Sequence, residues 1–338
     1  MWMRIRVILL YNNMLTISIL PMSQNYARTL QDQDQVEHFL TKVLELDYSQ
    51  LSNDIAYKII QGEKGVDDSD TQSQTLVNTK FRDRNYKEEN KRWFLREQII
   101  QELLTLTRPE NDDLISLGNG GALPRSGIKT DSQAYILIGL PASGKSSIAV
   151  SISEKFGAII IDPDFAKRKL PEFSNYTWGA TVVHDESSEI VNGFANNPKK
   201  ILSVYETAIQ RKYNVVVPKI GSDKYSVLKT CNTYKLAGYE VHLTLVSLFR
   251  KDATIRALHR FSETGRYVPL SLIFDGYSND PCLNYYMLRN MKQNVISSFG
   301  AVSSDVPRGQ PYKLIDFKGN NPARLYQEQP NNFKLAIS

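Results

Sequence analysis

Apolar positions follow two regimes along this chain. Before residue 107 they recur at three- and four-residue spacing. Val36, Phe39, Leu40, Val43 and Leu44 do so within Gln35 to Leu46, and Trp93, Phe94, Ile99, Ile100, Leu103 and Leu104 within Glu88 to Leu106. That spacing predicts helices with one apolar face each, the second ended by Arg108-Pro109. The polar stretch Gly62 to Gln74 between them reads as a loop. From Ala134 onward, short apolar runs alternate with helical patterns. Strands are expected at Tyr135 to Ile138, Ala158 to Ile161, Asn214 to Val217, Glu240 to Leu248 and Lys313 to Phe317. Helices are expected at Ser146 to Phe156, Lys200 to Tyr213 and Ser222 to Leu236, the last closed by Gly238. A further helix follows Asp252, placed to cap it. Such alternation predicts an α/β fold whose parallel sheet is covered on both faces, a three-layer sandwich.

The boundaries follow from the same pattern. Gly118-Asn119-Gly120-Gly121, with Pro124 and Gly127 close behind, reads as a linker over 118–127. It separates a mainly helical region, 22–117, from an α/β domain over 128–320, with a tail at 321–338. Residues 1–21 stand apart. Arg4 and Arg6 precede an apolar run, but Asn12 and Asn13 break it, and Val7 to Leu10 is far short of the roughly 20 residues a membrane span needs. The segment reads as a leader, a first strand or a mis-called start ahead of Met22.

Composition narrows the class. The 338 residues are 41% apolar and 23% charged, with a formal net charge of +5, and the mean hydropathy is −0.35. These values suit a globular chain rather than a polytopic membrane protein or a disordered one. Two cysteines, Cys231 and Cys282, make no disulfide framework and no Cys-only zinc site. A reducing, cytoplasmic setting is expected, with export not excluded. The mild basicity suits anionic small ligands, and neither nucleic acid nor membrane is expected as a partner.

The chemistry begins at Gly139-Leu140-Pro141-Ala142-Ser143-Gly144-Lys145-Ser146, which fits G-x-x-x-x-G-K-[ST] between a strand and a helix. Gly139 and Gly144 allow backbone amides to converge on phosphate oxygens, and the helix N-terminus at Lys145 to Ser147 adds its dipole. Lys145 is placed to reach the β- and γ-phosphates, and Ser146 to hold Mg²⁺. At the end of the second strand, Asp162-Pro163-Asp164 puts two carboxylates on one side of an extended segment. Asp164 is assigned to the acceptor hydroxyl and Asp162 to Mg²⁺ through water. Farther on, Arg256 and Arg260 share a helix face and Arg266 follows Gly265. Arginines brought over a γ-phosphate would neutralise developing charge.

Together these pieces resemble the zeta-toxin family of P-loop kinases over about Ala134 to Phe274. The resemblance rests on the phosphate loop, Ile161-Asp162-Pro163-Asp164-Phe165 through Pro171, the arginine helix, and Gly265-Arg266-Tyr267-Val268-Pro269. Val183-His184-Asp185-Glu186-Ser187-Ser188 adds to it. It implies a kinase of bacterial or phage type that uses ATP or GTP with Mg²⁺, with UDP-N-acetylglucosamine as acceptor and an antitoxin-like protein as partner. It places Asp164 at the base position and Arg260 and Arg266 at phosphate-contacting positions. One departure stands out. The family's third strand usually ends in an acidic residue, and here Val217 runs into Pro218-Lys219-Ile220-Gly221-Ser222. Lys219 beside that departure, and Glu186 at the helix start within His184 to Glu189, are the candidate acceptor contacts. A kinase for another acceptor, or a nucleotide-binding interaction module without transfer activity, are the alternatives.

Overall fold

The computed structural model describes residues 27–52, 54–68, 74–307 and 309–327. The leader expected at 1–21 and the Met22 start lie outside these residues. The N-terminal part holds helix α1 (Gln33–His38), continued by a π-helical turn (Phe39–Val43), then α2 (Ile55–Asp68) and α3 (Glu89–Thr105). The α/β part follows as β1 (Gln133–Ile138), α4 (Lys145–Phe156), β2 (Ala158–Ile160), α5 (Pro163–Lys169), α6 (Gly179–Val182), α7 (His184–Asn192), α8 (Val204–Gln210), β3 (Asn214–Lys219), α9 (Lys224–Leu236), β4 (Glu240–Ser247), α10 (Arg250–Thr264), α11 (Asp280–Asn290), β5 (Ser298–Ser303) and β6 (Lys313–Lys318).

One six-stranded sheet runs in the order β2-β3-β1-β4-β5-β6. Its first five strands pair in parallel, and β6 closes the edge antiparallel to β5. Helices cover both faces, so the α/β P-loop architecture expected from the sequence is the one observed. The order reverses at β1, and the crevice at a strand-order switch is where open sheets bind ligands.

Several expectations change. The stretch Gly62 to Asp68 is not loop but the second half of α2. Glycines inside a helix argue against it on propensity, yet here they make room. A Cβ on Gly62 would lie 2.5 Å from Tyr267 Cγ, and one on Gly65 would lie 2.1 Å from Trp178 Cδ2. Strand β5 is absent from the sequence reading because Ser298-Phe299-Gly300-Ala301 lacks a branched apolar run. Gly300 belongs there because a Cβ would fall 2.0 Å from Asn321 Oδ1. Asn321 also accepts from Thr244 Oγ1 at 3.0 Å and donates to the Leu243 carbonyl at 3.0 Å. The expected tail therefore begins inside the core. Asp252 sits in the first turn of α10 but makes no capping bond.

The segment 118–127 is packed rather than free. The Ala122 amide donates to the Leu103 carbonyl, the Ile160 amide donates to the Ala122 carbonyl, and Ala122 is buried. Upstream of it, Leu95, Ile99, Ile100 and Leu103 of α3 belong to the same apolar core as the sheet. A second core joins Leu30, Phe39, Leu40, Ile55 and Ile59 to Leu140, Ala253, Leu258, Phe261 and Tyr267. The N-terminal helices thus share both of their apolar faces with the α/β part.

Candidate active site

The phosphate loop lies between β1 and α4, at the carboxyl edge of the sheet. Both of its glycines are needed where they stand. Gly144 has φ +85°, and a Cβ there would lie 2.3 Å from the Tyr312 hydroxyl; one on Gly139 would lie 2.5 Å from the Val246 carbonyl oxygen. The Gly139 amide donates to the Ile220 carbonyl at 3.0 Å, which ties the loop to the segment after β3. Lys145 Nζ donates to the Gly139 and Leu140 carbonyls at 2.7 and 2.6 Å. These bonds keep the ammonium folded over its own loop. Burial lowers its pKa to about 8 against the pull of Asp162 and Asp164. Ser143 Oγ is buried without a hydrogen-bond partner, while Ser146 and Ser147 are exposed in the first turn of α4.

Asp162 caps α5, its Oδ1 accepting the Asp164 amide at 2.9 Å. Desolvation first, then the neighbouring Asp164 carboxylate, pushes its pKa up to about 7. Asp164 is exposed at the cleft and pairs with Lys167 at 2.8 Å. Desolvation pushes its carboxyl upward, but Lys167, Arg168 and Arg260 outweigh that and hold it below the usual range. Two adjacent carboxylates with opposite shifts are a familiar acid/base arrangement. Arg260 is exposed and, among the described residues, pairs with no carboxylate; its charge nonetheless reaches Asp164. Arg266 donates to Asp113 Oδ1 at 3.0 Å and lies 5.0 Å over the Phe173 ring. Asp113 also holds Arg168. Arg256 turns away, its guanidinium donating to the Ser304 carbonyl at 2.9 Å.

Glu186 does not reach this site. It is fully buried, accepts from Arg92 Nε and Arg96 Nε at 2.7 Å each, and its pKa is drawn down to about 2. The expected acceptor contact is instead part of a buried ion network that includes Glu172, 2.7 Å from Arg92. His184, two residues earlier at the start of α7, is exposed, and desolvation first, then Lys167, lowers its pKa. Lys219 is half-buried at the end of β3, level with Ile138 of β1. It lines a cavity of about 310 Å³ with Ile161, Pro163, Asn192, Pro218, Ser222 and Asp223. A second cavity, about 490 Å³, opens beside the loop under Tyr312 and Tyr326, whose rings stack 6.0 Å apart.

Three features escaped the sequence reading. Lys167 was visible in principle, three residues from Asp164 on a helix. Asp113 and Tyr312 reach the site only through long-range packing, and no local pattern marks them.

The zeta toxin family model matches residues 128–279. That segment, under half of the chain, is similar to the zeta toxin family. No curated protein sequence matches the chain. Solved structures with some likeness include one from the PezAT chromosomal toxin–antitoxin system of Streptococcus pneumoniae, at 20% identity over 60% of this chain and 80% of that one, TM-score 0.44. An AvrRxo1-ORF1:AvrRxo1-ORF2 complex with ATP is 15% identical over 92% and 83%, TM-score 0.39. A gluconokinase from Sinorhizobium meliloti is 18% identical over 53% and 86%, TM-score 0.29. The matched segment has a zeta-toxin-like kinase fold, that of a nucleotide-dependent phosphotransferase, and contains the phosphate loop. Among the described residues, no helix is long and apolar enough to cross a membrane.

Proposed function

We propose that this protein transfers the γ-phosphoryl group of ATP or GTP to a hydroxyl of a small acceptor, with UDP-N-acetylglucosamine as the first acceptor to test. The observation that carries this reading is the meeting of the phosphate loop with the Asp162/Asp164 pair at one edge of the sheet, where Lys145 feels both carboxylates. In it, the loop amides and Lys145 hold the phosphates. The partnerless Ser143 Oγ lies in the same loop. The nucleobase takes the cavity under Tyr312 and Tyr326. Asp164 orients the acceptor hydroxyl and receives its proton. Arg260 and Arg266 balance the charge that develops on the transferred group.

Mg²⁺ fits the donors present. Ser146 offers an exposed hydroxyl, and Asp162 keeps its second oxygen clear of protein donors among the described residues. An ion held there would be shared with the nucleotide phosphates through hard oxygen ligands. Bound there, it would neutralise phosphate charge. An antitoxin-type protein partner belongs to the same reading and is tested by asking whether a protein co-purifies with the chain from its native cells and abolishes phosphate transfer.

The test is phosphate transfer from labelled ATP with Mg²⁺, with and without UDP-N-acetylglucosamine, comparing the chain with Asp164→Asn. Sugar-dependent transfer that collapses in the variant supports the reading. Transfer to a different alcohol keeps the kinase and rejects the acceptor. Nucleotide binding with no transfer to any alcohol rejects the kinase in favour of a binding module.

A further inference from the structure

Among the described residues, three carboxylates are buried: Glu63, Glu172 and Glu186. Glu172 and Glu186 pair with Arg92, and Glu186 also with Arg96. That is the expected pattern, because a carboxylate taken out of water without a counter-charge is costly. Glu63, in α2, breaks it. It forms no ion pair among the described residues, and its side chain accepts instead from the Tyr267 hydroxyl. Desolvation pushes its pKa up, the Tyr267 bond opposes that, and the Asp67 carboxylate adds to the rise.

Position adds to this. Tyr267 follows Arg266 directly, in the loop 265–269 after α10, and it is the one buried residue of those five. Everything that seats the loop converges on it. Its ring lies 5.0 Å from the Phe261 ring, and its amide donates to the Thr177 carbonyl at 3.1 Å. Its hydroxyl oxygen accepts the Leu270 amide at 3.5 Å, beyond the far end of the loop. The backbone of α2 presses on the ring at Gly62, and Glu63 takes the hydroxyl proton's bond at the tip. Elsewhere the loop is open: Val268 is exposed, and a Cβ on Gly265 would meet nothing within 4 Å. The Arg266 side chain itself has only a partly exposed pair with Asp113 and the face of Phe173 to steady it, and such a pair contributes little.

Resting on the kinase reading above, we propose that Glu63 is a positioning residue for phosphoryl transfer: by holding the Tyr267 hydroxyl it fixes the loop that presents Arg266 to the γ-phosphate. Glu63 touches no reacting atom and acts through Tyr267 and Arg266 alone. The N-terminal region thereby sets the geometry of the arginine, although Glu63 lies outside the segment 128–279 that matches the family model. A charge-assisted hydrogen bond in a buried setting is both stronger and more directional than a neutral one in water. Directionality is what the role requires, since a misplacement of about 1 Å in a transition-state contact costs up to about 10²-fold in rate.

The test is a double-mutant cycle in the full chain. Glu63→Ala is expected to lower kcat for phosphate transfer by roughly tenfold to a hundredfold, with a smaller change in the KM for ATP. Tyr267→Phe should reproduce that loss, and Glu63→Gln, which keeps an acceptor for the hydroxyl, should retain most of the rate. In an Arg266→Met background, Glu63→Ala should cost nothing further, which a merely structural role would not produce. Unfolding midpoints of all variants separate a displaced loop from a lost fold. The same loss in both backgrounds, or an unchanged kcat in both Glu63→Ala and Tyr267→Phe, overturns the proposal and leaves the kinase standing. If no acceptor is phosphorylated, the kinase reading fails by itself, and calorimetric titration of ADP and of a non-hydrolysable ATP analogue decides the positioning. A tighter analogue whose margin over ADP is narrowed alike by Arg266→Met and Glu63→Ala supports it. No margin in the intact chain, or one that Glu63→Ala leaves whole, overturns it.

Discussion

The two carboxylates at the start of α5, one capping it and one in its first turn, are two residues apart, and their surroundings drive them in opposite directions. Asp162 is desolvated and pressed by Asp164, whereas Asp164 sits among Lys167, Arg168 and Arg260. An ionised Asp164 is what a hydroxyl-orienting group requires. Asp164→Asn is accordingly expected to cost about 10²–10⁴-fold in transfer, read by steady-state kinetics against an unchanged unfolding midpoint. Arg266 gives a second prediction at this scale. Its pair with Asp113 competes with any phosphate, and a partly exposed pair is worth about 0–1 kcal/mol. Asp113→Asn should therefore lower the KM for ATP by up to about fivefold; an unchanged or raised KM would show that the pair does not restrain Arg266. Lys167 and Asp113 belong to the site in space, but only Lys167 had a local signal.

Elements are joined to one another by side chains that propensity alone misjudges. Gly65 lies in α2, where alanine is normally the better helix former by about 1 kcal/mol. Against Trp178, however, a Cβ has no room. Gly65→Ala is expected to destabilise the fold by about 1–3 kcal/mol, measured by urea unfolding, and a stabilised variant would refute the close packing. The network of Arg92 and Arg96 on α3, Glu172, and Glu186 on α7 joins three segments out of water. Removing Glu186 leaves two buried guanidiniums short of a partner, so Glu186→Ala should cost about 3–5 kcal/mol. Its folded pKa near 2 lies below the ordinary 4.5. The stability this carboxylate contributes is thus complete above about pH 5 and is lost as pH falls through 4.5 towards 2. Acid titration of unfolding free energy in the intact chain, compared with Glu186→Gln, checks the sign.

For the molecule as a whole, the question is whether the first 125 residues form a detachable unit. They supply Leu95, Ile99, Ile100 and Leu103 to the core of the sheet. Burying such side chains stabilises by about 1.5–3 kcal/mol each, together comparable to the whole stability of a typical domain. The second core binds α1 and α2 to α10 and to Leu140 of the phosphate loop, and Arg28 reaches Asp275 at 2.6 Å. A chain starting at Ser126 is therefore expected to be insoluble or to lack a cooperative thermal transition, while the intact chain unfolds in one step by calorimetry. A soluble, cooperatively folding truncation would restore the picture of an independent helical region on a linker. The N-terminal helices support the arginine helix and the loop, which bears on function without placing any of their residues in the chemistry.

What the sequence determined by itself is everything encoded over short distances. The alternation of apolar runs and helical faces specified the layered α/β fold. The glycine spacing before Lys145 located the phosphate loop, and Asp162-Pro163-Asp164 put two carboxylates at a strand end. Each depends on backbone angles and side-chain periods within a few residues. Only the tertiary structure decided which residues meet across the chain. It sent Glu186 to Arg92, 94 positions away, kept Gly62 and Gly65 in a helix because Tyr267 and Trp178 press on them, and made Gly300 part of a central strand. It also joined Glu63 to Tyr267, 204 positions away. Burial and pairing are sums over distant neighbours, and no local pattern carries them.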